Sequence, residues 1–529
     1  MHQNADSQHP IHTRRIWKWL GISLLLSVVV LVIIAEIVLR HAGPILKGRV
    51  IETLSTRFDS KVELDTLDVS LLHGLQVTGG GLRIYPPDDV IAAGAHDPLI
   101  AVQHFDFRAG IAGLFIKPMH VSSVHVSGLD IHIPPKEYRQ QASGGRPQKH
   151  GGKIKITVGE ILCDDSQLII GTAKPGKDPK DFVLKHIVMH DVGANAAWPY
   201  DATLTNAIPR GNIHAVGTFG PWNLESPGDS PVTGKYTFDH AELDTIHGIG
   251  GVLSSTGQFT GQLNRIVVDG TTDTPDFQLD TARHPVSLKT EFHAIVDGTS
   301  GDTSLQPVRA TLGESKFTCS GSVVNVKGKG HIIDLDIDIP AGRIQDFLNL
   351  AVKTQPPVMS GALNMKAKIN IPPGKQSVTQ KIGVRGRFFL TKIHFNNPAV
   401  EDKVDMLSLR AQGKPGEAHP GAPDVQSQIR GAFDLHSGRM DVSELSYTLP
   451  GATINLTGEY TLDGKKFDFT GKVRTNAMLS QMVSTWWKSL LLKGVDPFFQ
   501  KHGAGAEIPV KISGTNSSPK FGLDLGNKN

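Results

Sequence analysis

Ile333-Asp334-Leu335-Asp336-Ile337-Asp338-Ile339 is the stretch whose reading decides the fold. Side chains along a β-strand alternate between its two faces, so this segment sets four aliphatic groups on one side and three carboxylates on the other. A helix would spread the same charges around its circumference, and a strand buried on both faces would not carry them. The segment is therefore a strand of a sheet with one apolar and one wet face. That wet face also explains the aspartates better than a calcium loop, which needs a glycine and a distal glutamate that are missing here.

The same period of two runs through the chain beyond residue 60. Ile454, Leu456, Tyr460 and Leu462 share one parity, Asp463-Gly464 follows, and Phe467, Phe469 and Val473 again share one parity. Asp-Gly between alternating runs signals a hairpin, because glycine allows the positive φ of a type I′ turn. Leu456, Tyr460 and Leu462 then occupy the apolar face, and Thr457, Glu459 and Thr461 the wet one. Val124-Val126 into Leu129-Ile131-Ile133, Ile154-Ile156-Val158 and Phe182-Leu184 are further pieces of this kind. A looser element, a polar or small residue followed by glycine and a strand, recurs at Gly257, Gly321, Gly361, Gly386, Gly431 and Gly458. It has no fixed period, which excludes a regular solenoid, and it reads as strands that begin or bend at glycine. With 56 glycines and 32 prolines scattered through 529 residues, turns are frequent everywhere. Loops are expected at 134–152, 220–234 and 413–423.

Helical patterns are few. Ile344, Phe347, Leu348 and Ala351 follow helical spacing. A longer amphipathic helix is expected from about Ala477 to Lys493, with Met478, Leu479, Met482, Val483, Trp486 and Trp487 on its apolar stripe and a stop at Gly494. That stripe either packs against the end of the sheet or touches membrane or lipid, since paired tryptophans and methionines favour an apolar–polar boundary. The two are compatible.

Near the N-terminus, Leu20 to Leu39 reads LGISLLLSVVVLVIIAEIVL, with Glu36 as its only charge. Twenty helical residues span about 30 Å, the hydrocarbon thickness of a bilayer. Secretory apolar regions are shorter, and no small-residue cleavage site follows, so an uncleaved transmembrane helix is expected. Trp17 and Trp19 stand where interfacial aromatics belong. Basic residues flank both ends of the run and leave its orientation open.

Composition and motifs exclude much else. A net charge of +3 with 20% charged residues is no nucleic-acid binder. Two distant cysteines, Cys163 and Cys319, make neither a disulfide scaffold nor a zinc ribbon and read as buried, unpaired thiols. Signatures of nucleophile elbows, zinc proteases and phosphate loops are absent, so no catalytic, cofactor or metal residue is assigned and the reading is non-enzymatic. His186 and His190 would face one metal on a helix, but Leu184, Val188 and Val192 alternate around them like a strand, where the two imidazoles stand about 13 Å apart.

Four stretches, in order, resemble the AsmA-like family of bacterial envelope proteins, relatives of bridge-like lipid-transfer proteins. They are Leu54-Ser55-Thr56-Arg57-Phe58-Asp59-Ser60-Lys61-Val62-Glu63-Leu64 with Leu75-Gln76-Val77-Thr78-Gly79; 257–261 through 268–277; Val296-Asp297-Gly298-Thr299-Ser300-Gly301-Asp302; and Ile508-Pro509-Val510-Lys511-Ile512-Ser513-Gly514-Thr515 with 519–523. The resemblance implies a cytoplasmic tail (1–19), an inner-membrane anchor (20–39) and a periplasmic body. That body has an N-terminal β-rich part (40–225) and an AsmA-like C-terminal region (226–529). It further implies a long antiparallel sheet curled into an open groove, its apolar inside holding phospholipid or other acyl chains for envelope biogenesis. The alternation by itself suits a closed sandwich equally well. The alternative function is thus a membrane-tethered scaffold whose sheet binds envelope proteins.

Deleting residues 1–40 should leave the body in the soluble fraction. Sedimentation of that truncated protein with membranes through a carbonate wash would defeat the single-anchor reading.

Overall fold

The computed structural model describes residues 60–523 except 71–74, 93, 95, 111–118, 134–155, 171–179, 194–196, 208, 222–226, 247, 281, 327–329, 354, 375, 377, 422–424, 462–465, 494–495, 500–504 and 516–517. Before residue 60 it describes 29–30, 45 and 47–56. The expected transmembrane run 20–39 thus lies outside the described residues, apart from helical Val29 and Val30. Among the described residues no helix is long and apolar enough to cross a membrane.

The chain is mostly β and divides into two compact units, residues 1–173, 179–204 and 218–222 in the first and the remainder in the second. In the first unit, β1 (Val62–Glu63) and β2 (Thr66–Ser70) both pair with β3 (Leu75–Ile84). The ladder continues through β4 (Ile100–Ala109), β5 (Met119–Ile133), β6 (Ile156–Ile170) and β7 (Lys180–Val192). All these pairs are antiparallel except β5 with β6. In β5 the apolar parity changes between Val126 and Leu129, on either side of Gly128 at φ +62°, while the pairing with β4 keeps one register throughout. β8 (Trp198–Ala207) and β9 (Arg210–Phe219) have residues in both units.

The second unit is an antiparallel meander. β10 (Pro231–Glu242) pairs with β12 (Val252–Gln262), with the two-residue β11 (Ile249–Gly250) joined to β13 (Arg265–Leu279). From β12 each strand pairs with the next: β13, β14 (Val286–Val296), β15 (Thr303–Leu312), β16 (Ser315–Val326), β17 (Gly330–Arg343), β18 (Met359–Ile371) and β19 (Gly383–Phe395). It goes on through β20 (Gln428–His436), β21 (Arg439–Leu449), β22 (Ala452–Thr461), β23 (Phe467–Thr475), β24 (Ala506–Thr515) and β25 (Ser518–Leu523). As its pairings stand this is an open, uncurled ladder. The groove expected from the sequence needs a bend across the ladder that register alone does not supply.

The quoted segment falls in β17 as read. The β22–β23 register, Tyr460 opposite Phe467, is the one a two-residue turn at Asp463-Gly464 requires, those two residues lying outside the described set. Of the repeated glycines, Gly257, Gly321, Gly386, Gly431 and Gly458 sit inside strands rather than at their starts, and Gly361 lies near a strand start. Gly321, Gly361 and Gly458 border register shifts, where a strand bends.

The longer helices of this unit sit at one end of the apolar face. Ile344–Ala351 forms as expected, and its Ile344 and Phe347 pack on a buried cluster of Ile339, Leu363, Leu390 and Ile393. The buried Asp346 fixes that helix by accepting from Ser315 Oγ at 2.7 Å and Glu314 N at 3.2 Å. A helix over Pro398–Ala411 was not foreseen, although Asn397 before Pro398 is a capping pair: its side chain accepts from Ala399 N at 3.0 Å. The expected helix 477–493 is instead a 3₁₀ turn, Leu479–Met482, and a separate helix, Trp486–Lys493. The break follows from extended backbone at Met478 and Val483 and from Ser480, which is held by the buried Asp496 through its N–H (3.1 Å) and hydroxyl (2.6 Å).

Ile339 is fully buried, whereas Leu335, on the same strand and face, is half-buried. Ile339→Ala should cost about 2–5 kcal/mol in urea unfolding and Leu335→Ala clearly less. Equal losses would mean that the face is a closed core after all.

Candidate functional site

The apolar parity stays in phase across fifteen strands. One row of direct cross-strand partners runs Gly234, Phe259, Val268, Ala294, Leu305, Gly321, Leu335, Ile369, Val384, Leu435, Met440, Tyr460, Phe467, Gly514, Pro519. At about 4.8 Å per strand it extends roughly 65–70 Å along the ladder without a charge. Beside it runs Cys319, Ile337, Ala367, Gly386, Phe433, Val442, Gly458, Phe469, Ile512, and then Met365, Phe388, Gly431, Leu445, Leu456, Gly471, Val510. From Phe259 to Phe467 every large side chain of the first row is half-buried and none fully buried. A sandwich core would bury them.

Glycine lies opposite an aromatic ring again and again on this face. Gly386 faces Phe433, Gly431 faces Phe388, Gly458 faces Phe469, and the pair Gly257–Gly270 is flanked by Tyr236 and Phe292. A Cβ on any of these glycines would come within 3.0 Å of the ring opposite. The rings therefore lie down across the neighbouring strand instead of standing off the sheet. Sequence reading saw these glycines but not their partners; the signal available was Gly-x-Phe at 386–388 and 431–433, which puts both residues on one face.

The opposite face is a ladder of charge. Asp336, Lys368, Arg385, Asp434, Asp441, Glu459 and Asp468 are successive cross-strand partners. Lys368 pairs with Asp336 at 3.0 Å, Lys366 with Asp338 at 3.0 Å and Arg385 with Asp434 at 2.6 Å. The Lys466 ammonium bonded to Glu459 holds that carboxyl below its usual range. A cleft of about 690 Å³ over β12–β16 is lined mostly from this wet side, and four of its five charged residues pair as Asp273–Lys289 (3.3 Å) and Glu291–Arg309 (3.5 Å), Lys316 being the fifth.

Leu456 and Tyr460 lie on the apolar face, half-buried, opposite Leu445 and Met440; Leu462 lies outside the described residues. Met478, Leu479, Met482 and Val483 are half-buried. Met482 packs on Ala411, Leu449 and Ala452 at the strand end, away from Leu456 and Tyr460. Of Trp486 and Trp487 the backbone is helical, and their side chains lie outside the described set.

His186 and His190 are on β7 and meet different carboxylates, Asp164 (2.6 Å) and Glu160 (3.9 Å), as a strand requires. Asp164 also bonds His125 at 2.9 Å; His186 first and His125 second hold its carboxyl below the usual range. Among the described residues no cluster suits a metal ion. The motif at 296–302 is turn chemistry: Asp297 Oδ1 accepts from Thr299 N (2.8 Å), Thr299 Oγ1 (2.6 Å) and Ser300 N (3.1 Å).

No protein-family model, curated protein or solved structure matches this chain.

Both cysteines are free; Cys163 is buried, while Cys319 is half-buried rather than buried as expected. Burial, then the charge of Asp164, pushes the Cys163 thiol up to about 11. Native protein at pH 7.5 should therefore react with maleimide at Cys163 far more slowly than urea-unfolded protein. Equal rates, followed by mass spectrometry, would contradict that burial.

Proposed function

We propose that the second unit's apolar face carries the acyl chains of lipids, and that the protein handles or transfers lipid beside a membrane without catalysing a reaction. The observation that carries this reading is the charge-free row from Phe259 to Phe467, whose large side chains are only half-buried. Exposed apolar patches beyond a few hundred Å² mark interaction surfaces, and each methylene covered there is worth about 0.8 kcal/mol. An acyl chain suits such a face better than a protein, because the face offers few side-chain hydrogen-bonding groups with which to orient a polypeptide.

A bend that turns the face into a trough belongs to the same proposal. Its support is the helix Ile344–Ala351, which touches β13 and β14 as well as β17 and β18. Five strand spacings of a flat sheet cover about 24 Å, whereas eight helical residues are about 12 Å long. The apolar run at 20–39 and the resemblance to AsmA-like proteins support an inner-membrane anchor with the body in the periplasm.

Leu456→Asp and Thr457→Asp place a charge on opposite faces of β22. Leu456→Asp should cut photo-cross-linking to phospholipid about tenfold at unchanged protein level, because a charge there must be desolvated by the bound tail. Thr457→Asp should be silent. Loss of the protein itself with Leu456→Asp, and no selective loss of cross-linking, would favour the tethered scaffold with a closed core.

A further inference from the structure

We infer that Gly386 and Gly431 are positioning residues of an acyl-chain station, at which the rings of Phe433 and Phe388 form a low aromatic floor; this rests on the lipid reading above. β19 and β20 exchange glycine for phenylalanine reciprocally, Gly386 opposite Phe433 and Phe388 opposite Gly431. A Cβ on Gly386 would lie 3.0 Å from the Phe433 ring, and one on Gly431 2.8 Å from the Phe388 ring. Each ring thus fills the space in which the opposite residue's side chain would stand. The two ring centroids are 6.1 Å apart at an interplanar angle of 51°.

Side chains on a strand ordinarily stand off the sheet, so a recumbent ring lowers the surface beside it. Two such rings on adjacent rows, inclined to each other, make a low aromatic patch two strands wide. A methylene chain can lie on that patch with continuous contact, and a Cβ at either glycine would tilt a ring up into its path. Elsewhere on the face the glycine–aromatic pairing is not reciprocal: Phe469 covers Gly458, and Tyr236 with Phe292 covers a glycine pair. Only Phe388 among these rings also packs on the buried cluster under the helix Ile344–Ala351, which fixes the station against the covered end of the face.

Full-length protein in mild detergent, labelled with photoreactive palmitate and mapped by mass spectrometry, tests this. Wild type should cross-link within β19–β20 as well as elsewhere on the apolar face. Gly386→Ala/Gly431→Ala should lose about tenfold of the β19–β20 cross-links while keeping those on β22, a redistribution that a general loss of stability would not produce. If that variant melts early, Phe388→Leu/Phe433→Leu decides, since it keeps both glycines and an apolar surface but removes the floor, and the same redistribution is expected. Phe389→Ala, on the wet face, should change nothing. Wild-type cross-links that avoid β19–β20, or a folded variant that labels there like wild type, would overturn the station while leaving the lipid reading in place. Absence of palmitate cross-links anywhere on the face would overturn both.

Discussion

Register is the constraint on which the rest of this structure depends. A slip of one residue between two strands would turn every side chain of one strand to the other face, ending the apolar surface at that point. The ladder avoids this across fifteen strands, and its irregularities are placed so that phase is kept. Between β14 and β15 the register shifts after Ala294–Leu305, and on the far side of the bulge Val308 and Ala310 return to the apolar face. Between β17 and β18 the shift comes after Ile339, which leaves Gly342 opposite Leu363 in the buried cluster. Bulges therefore twist the sheet without mixing its two faces.

The charge ladder on the other face protects that register from the outside. Slipping β18 by one residue against β17 would remove Lys368 and Lys366 from Asp336 and Asp338 while turning Ile369 and Ala367 to water. Each exposed pair is worth little alone. Their use lies in specificity, since the wrong register loses many pairs and many apolar contacts together.

The two-sided sheet was legible because alternation is a local property: β17 and the β22–β23 hairpin can be read from seven to twenty residues. What could not be read is what lies beside what. Gly386 looks like a strand boundary until Phe433, 47 positions on, is placed against it. The helix 477–493 fails for a related reason, because the partner that holds Ser480 in another conformation is Asp496, beyond the helix that periodicity suggested. The helix Pro398–Ala411 was missed because its apolar stripe is weak, although its cap at Asn397 is local. The site residues divide the same way. Leu456 and Tyr460 were placed on the right face by parity, whereas the glycine–aromatic floor is a cross-strand property.

A half-buried apolar face has a thermodynamic consequence. Each of its side chains contributes less to folding than a core residue, at about 25 cal/mol for every Å² removed from water, so the unit is held more by its backbone ladder and its end cluster than by a central core. On the proposed function, a lipid covering the face would bind the folded chain and not the unfolded one, and would add stability as RT ln(1 + [L]/Kd). Function and stability are then coupled through one surface. Ile339, already buried under its helix, stands outside that coupling, and Leu335, four residues away on the same strand and face, stands within it.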